Sequence, residues 1–319
     1  MAFIKDYTDL PDFLIFSICV IFDDFLVQCT SISEVRYLLM ESHLMLSQYK
    51  LATFLACQRR FQLRYLRHLP WPNVPLSART EANLHRGQEF HQLLERHFLG
   101  LPIASAAIVD AQIGQWWRQF EANWPFGNDF SANVRFLPET GLTVPLGDHL
   151  LYGRFDLLVM GKDKENIPFA HIFDWKTGKP VDEAALNGRW QTRLYLALLA
   201  EGGSAFLPQN SQLIPEKISL TYWYVQAADT PITIDYSTAK HKRSWAELRK
   251  HAAHLTEATA KDSWPLTDDL AHCRECVYQS YCDRREAGMV HPERLNKIEL
   301  VEAEEATLLN EQLLTPELP

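Results

Sequence analysis

The chain has 319 residues, 47% of them apolar and 12% aromatic, enough to bury the core of one large domain or two modest ones. The net charge of −9 argues against a uniformly basic surface, but residues 1–45 and 293–319 each carry −5, and residues 46–292 stand at +1. No apolar run is long and uncharged enough to span a membrane, and no secretory signal is evident, so the expected location is the cytoplasm.

The apolar run 13–27 is interrupted by Asp23 and Asp24, and Lys5 before it is outweighed by Asp6, Asp9 and Asp12. Residues 1–44 are therefore expected to be an appendage to a fold that begins near Met45, with a buried N-terminal helix as the alternative. Ser47 can cap a helix that carries Tyr49, Thr53, Leu55 and Ala56 and leads to Cys57. Beyond it Arg60, Arg64 and Arg67 lie three to four apart, on one helical face, interleaved with Phe61 and Tyr65. That face is either a solvated one or a stripe turned to nucleic-acid phosphates. The second reading draws on Lys50–Arg96, which holds eight Lys/Arg against three Glu.

Residues 71–79 read as a proline-marked loop and 80–98 as a helix. On that helix Gly87, His91 and Glu95 share a face. A helical His is either a satisfied core residue or a ligand. A glycine here weakens the helix by about 1 kcal/mol relative to alanine, which is tolerable where a ligand or backbone must come close. Residues 108–126 form an amphipathic helix with Trp116, Trp117 and Phe120 for the core. Strands follow at 133–138, 142–146, 150–160 and 169–176, with a hairpin turn at Gly147-Asp148. A helix is expected over 182–201, with Asp182 as its N-cap and Gln191 and Tyr195 as i,i+4 neighbours. Strands at 217–226 and 230–236, a helix to about residue 261, and a Glu-rich helical tail from 293 complete the chain. The architecture expected is α/β: a central mixed sheet flanked by helices, with domain limits at 45 and 292.

Two apolar strands carry carboxylates where a core would prefer valine. They are Asp156 in Gly153-Arg154-Phe155-Asp156 and Asp174 in Phe173-Asp174-Trp175-Lys176. Asp174 and Lys176 point to one face, because side chains alternate along a strand. Two carboxylates and a lysine converging on an apolar sheet suggest a hard divalent cation.

The order His91, Asp156, Asp174-x-Lys176, Gln191-x3-Tyr195 resembles the PD-(D/E)XK nuclease superfamily, in particular its RecB-like branch. Phe155 stands where the superfamily's name has proline, and the loop between the two carboxylates is somewhat long. The resemblance covers residues 46–283 and implies a restriction-endonuclease-like core and DNA hydrolysis. It also implies Mg²⁺ or Mn²⁺ held by His91, Asp156, Asp174 and the Trp175 carbonyl, with Lys176 beside the attacking water. Gln191 and Tyr195 would hold the DNA backbone or the lysine. Cys57 with Cys273-x2-Cys276-x5-Cys282 looks like the [4Fe–4S] staple of CRISPR-adaptation exonucleases and AddB-type helicase–nuclease subunits. Zinc could serve the same four thiolates. DNA is the implied partner, with a helicase or a CRISPR-adaptation protein as a further one. The rival readings are a non-catalytic DNA-end-binding subunit and a zinc-stapled interaction protein.

Overall fold

The computed structural model describes residues 44–69, 77–104, 108–124, 134–208, 211–274 and 276–288. The expected appendage, Cys19, Cys29 and the acidic tail lie outside these. The chain divides into two compact units, one of residues 1–48 and 86–256, the other of residues 49–85 and 257–319. No helix among the described residues is long and apolar enough to cross a membrane.

The first unit is built on a mixed six-stranded sheet, as the alternation of its strands predicts. Its strands are β1 (Met45–Leu46), β2 (Arg135–Leu146), β3 (His149–Lys162), β4 (Pro168–Lys176), β5 (Ile218–Tyr224) and β6 (Ile232–Asp235). β2 and β3 form a long antiparallel hairpin closed at Gly147, whose φ of 63° suits the tight turn. The other edge of β3 is shared: β1 runs parallel to its start, and β4 runs antiparallel to its end. β5 lies parallel to β4, and β6 antiparallel to β5.

The stretches 133–138 and 142–146, expected as two strands, are one continuous strand. What separates their patterns is a reversal of facing. Phe136 packs with the core cluster that holds Phe90, Phe120 and Trp175, whereas Leu142 and Val144 line the opposite face, against Gly202. β3 reverses at the same level: Gly153 and Phe155 meet Tyr195, while Leu157 and Val159 belong to the Phe90 cluster. Strict alternation would put all four β3 residues on one face. The irregularity falls on Glu139 and Asp156, and Glu139 has a φ of 46°. The register is the same on both sides of this level, so the fault is shared by the two strands and re-aims their side chains without an extra residue in either.

Helices flank both faces of this sheet. Among the described residues of both units the α-helices are, in chain order, α1 (Gln48–Ala56), α2 (Gln58–Phe61), α3 (Ala78–Phe98), α4 (Ala111–Ala122), α5 (Glu183–Gly188), α6 (Trp190–Gly202), α7 (Thr238–Ala260) and α8 (Leu270–Arg274). Phe90 and Leu94 of α3 and Ile113 and Phe120 of α4 pack on Leu157, Phe173, Trp175 and Trp223. The helix expected over 182–201 is two helices. Asp182 caps the first through Ala185 N at 2.8 Å, and Arg189 is extended between them. That break lets Gln191 sit in the first turn of α6, which then runs Leu194 to Leu199 as a buried face.

In the second unit the helix after Ser47 stops at Cys57. This residue is extended and caps α2 through its Sγ, which accepts the Arg60 amide at 3.4 Å. A π-helical turn, Gln62–Leu66, follows, with Arg67 N donating to Gln62 O at 2.8 Å. Phe61 lies between Phe54 and Trp264, edge-on to the first and stacked on the second. Tyr278 Oη donates to Leu69 O at 2.9 Å, and Gln62 and Trp264 both donate to Asp262 Oδ1.

Candidate active site

β3 and β4 pair as far as Leu157 opposite Phe173 and part beyond it. β4 continues with β5 alone, carrying Asp174, Trp175 and Lys176 alongside Tyr222, Trp223 and Tyr224. In the opening the Asp156 carboxylate replaces the lost ladder, and its Oδ2 accepts the Trp175 amide at 2.8 Å. A backbone amide at this depth needs a partner, so the carboxylate is held in place by the parting of the strands.

His91 of α3 reaches the same opening. Its Nδ1 is 3.6 Å from Asp156 Oδ2 and its Nε2 is 3.1 Å from the Trp175 carbonyl. Gly87, one turn earlier on α3, faces Thr177, so the helix passes close to the end of β4. On the other side of β4, Asp174 Oδ2 accepts Gln191 Nε2 at 2.7 Å, and Lys176 Nζ donates to Gln191 Oε1 at 3.4 Å. Lys176 Nζ also lies 2.5 Å from Asp174 Oδ1, in an ion pair that gives this buried oxygen no aligned hydrogen-bond donor. Tyr195 stands one turn beyond Gln191 and packs edge-on against Phe155. Thus His91, Asp156 and Trp175 meet on one side of the opening, and Asp174, Lys176 and Gln191 on the other.

Glu139, which spacing alone did not single out, joins the first group. One ligand atom each from His91, Glu139 and Asp156 lies within 4.8 Å of the others, the one such set among the described residues. Glu139 pairs with Arg154 Nε at 3.1 Å. Its signal in the sequence was weak, a Pro-Glu-Thr between two short β patterns that reads as a loop.

Charge is crowded here. Burial, then the neighbouring Asp156, pushes the Glu139 carboxyl up to about 8 despite Arg154. Burial raises Asp174 to about 6, although Lys176 opposes it. Burial works against the Lys176 ammonium, but Asp174 and Asp156 outweigh it and hold its pKa above the usual lysine range. Two carboxylates, one imidazole and one main-chain carbonyl converge on one side of the opening, and the Asp174 carboxylate, paired with Lys176, stands on the other. This donor set fits a hard divalent cation.

The basic stripe expected of Arg60, Arg64 and Arg67 does not form. Arg60 and Arg64 are buried, at 9% and 3% exposure, and Arg67 pairs with Asp262 at 3.9 Å. The cause is the π turn over Gln62–Leu66, which undoes the three-to-four spacing of one α-helical face.

The four clustered cysteines face one pocket within the second unit, with no three of their sulfurs within 4.8 Å of one another. Cys57, Cys273, Cys276 and Cys282 line one small pocket with Arg60, Tyr278 and Arg284. Burial pushes the thiols of Cys273, Cys276 and Cys282 up. Coulombic repulsion among the cysteines adds to this, while Arg284, Arg60 and Arg59 respectively act against it.

Carboxylates and a lysine in the opening of a mixed sheet define a class, the divalent-cation-dependent hydrolases of phosphodiesters. The chain belongs to the PD-(D/E)XK nuclease superfamily, whose model matches residues 45–283. Nucleases of this superfamily use divalent metals such as Mg²⁺ or Mn²⁺, and nucleic acid is their substrate class. No curated protein matches the chain. Among solved structures it is similar to SSO0001, at 14% identity over 78% of this chain and 90% of that one, with a TM-score of 0.34. It is also similar to a Eubacterium rectale protein described as a "putative exonuclease", at 10% identity over 76% and 91% of the two chains, with a TM-score of 0.45.

Proposed function

We propose that the protein is a Mg²⁺- or Mn²⁺-dependent deoxyribonuclease of the RecB-like branch, acting as an exonuclease in DNA repair, recombination or CRISPR adaptation. The observation that carries this is the meeting of His91, Asp156 and the Trp175 carbonyl in the opening where Asp174, Lys176 and Gln191 also stand. The order of these residues along the chain favours that branch.

In this reading His91, Asp156, Asp174 and the Trp175 carbonyl would hold the cation, and Glu139 would contribute a further carboxylate. A bound cation supplies Lewis acidity to the phosphate and lowers the pKa of a water. Lys176 lies at the same mouth, where its charge neutralises the oxyanion that develops on the phosphate. Gln191 fixes Asp174 and Lys176 together, its amide donating to one and accepting from the other. Tyr195 backs that helix turn against Phe155.

The four cysteines are assigned to a [4Fe–4S] cluster, with Zn²⁺ as the alternative. Both take a set of four thiolates, and the shared pocket supports either. Metal analysis together with the absorption near 400 nm of anaerobically purified protein distinguishes the two. A helicase or a CRISPR-adaptation protein is the partner this branch suggests.

The test is Mn²⁺-dependent cleavage of end-labelled single- and double-stranded DNA by the wild type beside Lys176→Ala. Loss of a positioned group of this kind costs about 10²–10⁴-fold in rate. Equal cleavage by a folded Lys176→Ala protein would sink the assignment. Shortening from one end, in place of internal cuts, is the expected product pattern.

A further inference from the structure

Helix α7 turns Ser244, Leu248, Ala252 and Leu255 inward. Its opposite face is exposed and carries Lys242, Arg243, Arg249 and Lys250 around Ala239, Ala246 and Ala253. Lys242 and Arg249 are seven residues apart, as are Arg243 and Lys250, and the alanines repeat at the same interval. Residues seven apart fall on one side of a helix, about 10 Å along its axis. The face is therefore two rows of cations flanking a smooth strip of methyl groups.

None of the four cations makes an ion pair or hydrogen bond among the described residues. The one carboxylate between residues 238 and 256, Glu247, is drawn aside by Arg193, and it also lies 3.7 Å from His251. Exposed Glu257, next in the Arg243–Lys250 row, pairs with Lys261 at 2.6 Å, so the four cations leave the face net positive, and it repels a second copy of itself. With no side chain larger than alanine between the rows, it gives an apolar partner little to hold. Its regular spacing suits a phosphate backbone, which is read by charge and not by sequence.

The flank of α7 beside this face packs against the start of α6, next to the site. The Trp190 ring meets His251 of α7 edge-on at 5.5 Å, and the Arg193 guanidinium lies 4.4 Å from the Trp190 ring centre. Trp190 immediately precedes Gln191, which bonds Asp174 and Lys176. Exposed Arg189 precedes Trp190 in turn. We infer that the outer face of α7 is a track for the sugar–phosphate backbone of a nucleic-acid strand on its way to or from the opening at Asp174 and Lys176. The inference rests on the nuclease reading and adds to it where the strand runs.

The test measures binding apart from cleavage. In a Lys176→Ala background, Lys242, Arg243, Arg249 and Lys250 are replaced together by alanine. Affinity for a labelled single strand of about 20 nucleotides is then followed by anisotropy at about 50 and 200 mM salt. Each neutralised phosphate contributes about 0.7 to the log–log salt slope of a single strand, so the four-alanine variant should lose about 10-fold or more in affinity and flatten the slope by two or more. Unchanged affinity and slope overturn the track. Loss of binding to an acidic peptide with DNA affinity unchanged also overturns it and gives the face to a protein partner. A wild type that cleaves DNA while the four-alanine protein binds normally removes the track and leaves the nuclease. A wild type that binds DNA through α7 and cleaves nothing removes the nuclease reading alone.

Discussion

At the scale of the residue, Glu139 and Asp156 show how a backbone fault becomes chemistry. A glutamate at positive φ costs on the order of 1 kcal/mol, and a second carboxylate beside it adds repulsion. Both costs fall where the proposed cation site would draw its oxygen ligands. Glu139→Gln keeps an acceptor for Arg154 but removes a charge from the cation's surroundings. It should weaken Mn²⁺ binding about 10-fold, read by calorimetric titration of the protein without DNA. An unchanged affinity would take Glu139 out of the ligand group. His171 sets a pH limit on stability instead. Its two ring nitrogens meet Ser219 Oγ and Thr221 Oγ1, each at 2.7 Å, and burial pushes its pKa down to about 3. Between that value and the unfolded value near 6.5 the unfolded chain binds the extra proton, so this stability is complete above about pH 6.5 and falls with acidification. At about pH 5 the loss from this group is about 2 kcal/mol, to be read from urea melts of wild type against His171→Gln, whose stability should fall less over the same interval.

At the scale of the element, α6 is held against the sheet so closely that glycine is required beneath it. A Cβ on Gly153 would stand 2.9 Å from Leu198 Cδ2 and 3.1 Å from the Tyr195 ring, and one on Gly202 would stand 2.6 Å from Val144 Cγ1. Gly153→Val should therefore push the first turns of α6 away from β3, at about 1–3 kcal/mol of stability. Gln191 would move with them, so cleavage should fall further than the melting point implies. Full activity in a destabilised Gly153→Val protein would mean that the position of Gln191 does not matter. The break at Arg189 has the same logic. A single helix over 182–201 would carry Gln191 mid-helix, whereas the extended Arg189 places it in a first turn, where its side chain reaches β4.

At the scale of the whole molecule, the chain divides its polar chemistry between two units. The first holds the carboxylate opening, and the second gathers Cys57 with three cysteines more than 200 residues further on. In the second unit the segments around residues 57–69 and 262–282 are already joined by protein contacts, among them Phe61 with Trp264 and Tyr278 with Leu69. A metal or cluster on the four thiolates would add to that clasp, because such binding energy is also folding energy. Cys57→Ser should therefore lower the bound iron or zinc well below the wild-type ratio and the melting midpoint by about 5 °C or more. Retention of full metal content would exclude Cys57 from the set.

Much of the proposed carboxylate site was legible in the sequence. Asp156, Asp174 and Lys176 stand out because charge in an apolar strand is costly unless it is used. His91 and Gln191 add weaker signals, carried by helical spacing and by their order in the chain. The strands, the hairpin turn at Gly147 and the flanking helices follow from periodicities of two and of 3.6. Other features depended on contacts between distant segments. Glu139 enters the site only because β2 and β3 reverse their facing together, and a one-strand pattern cannot show a fault shared by two. The Arg60–Arg64 face was lost to a π turn and to burial, neither of which side-chain spacing reveals. Composition and periodicity determined the layers and the carboxylate strands, since burial of apolar surface acts locally along each element. Tertiary structure decided which polar groups meet, because that depends on where two strands part and how closely one helix lies on them.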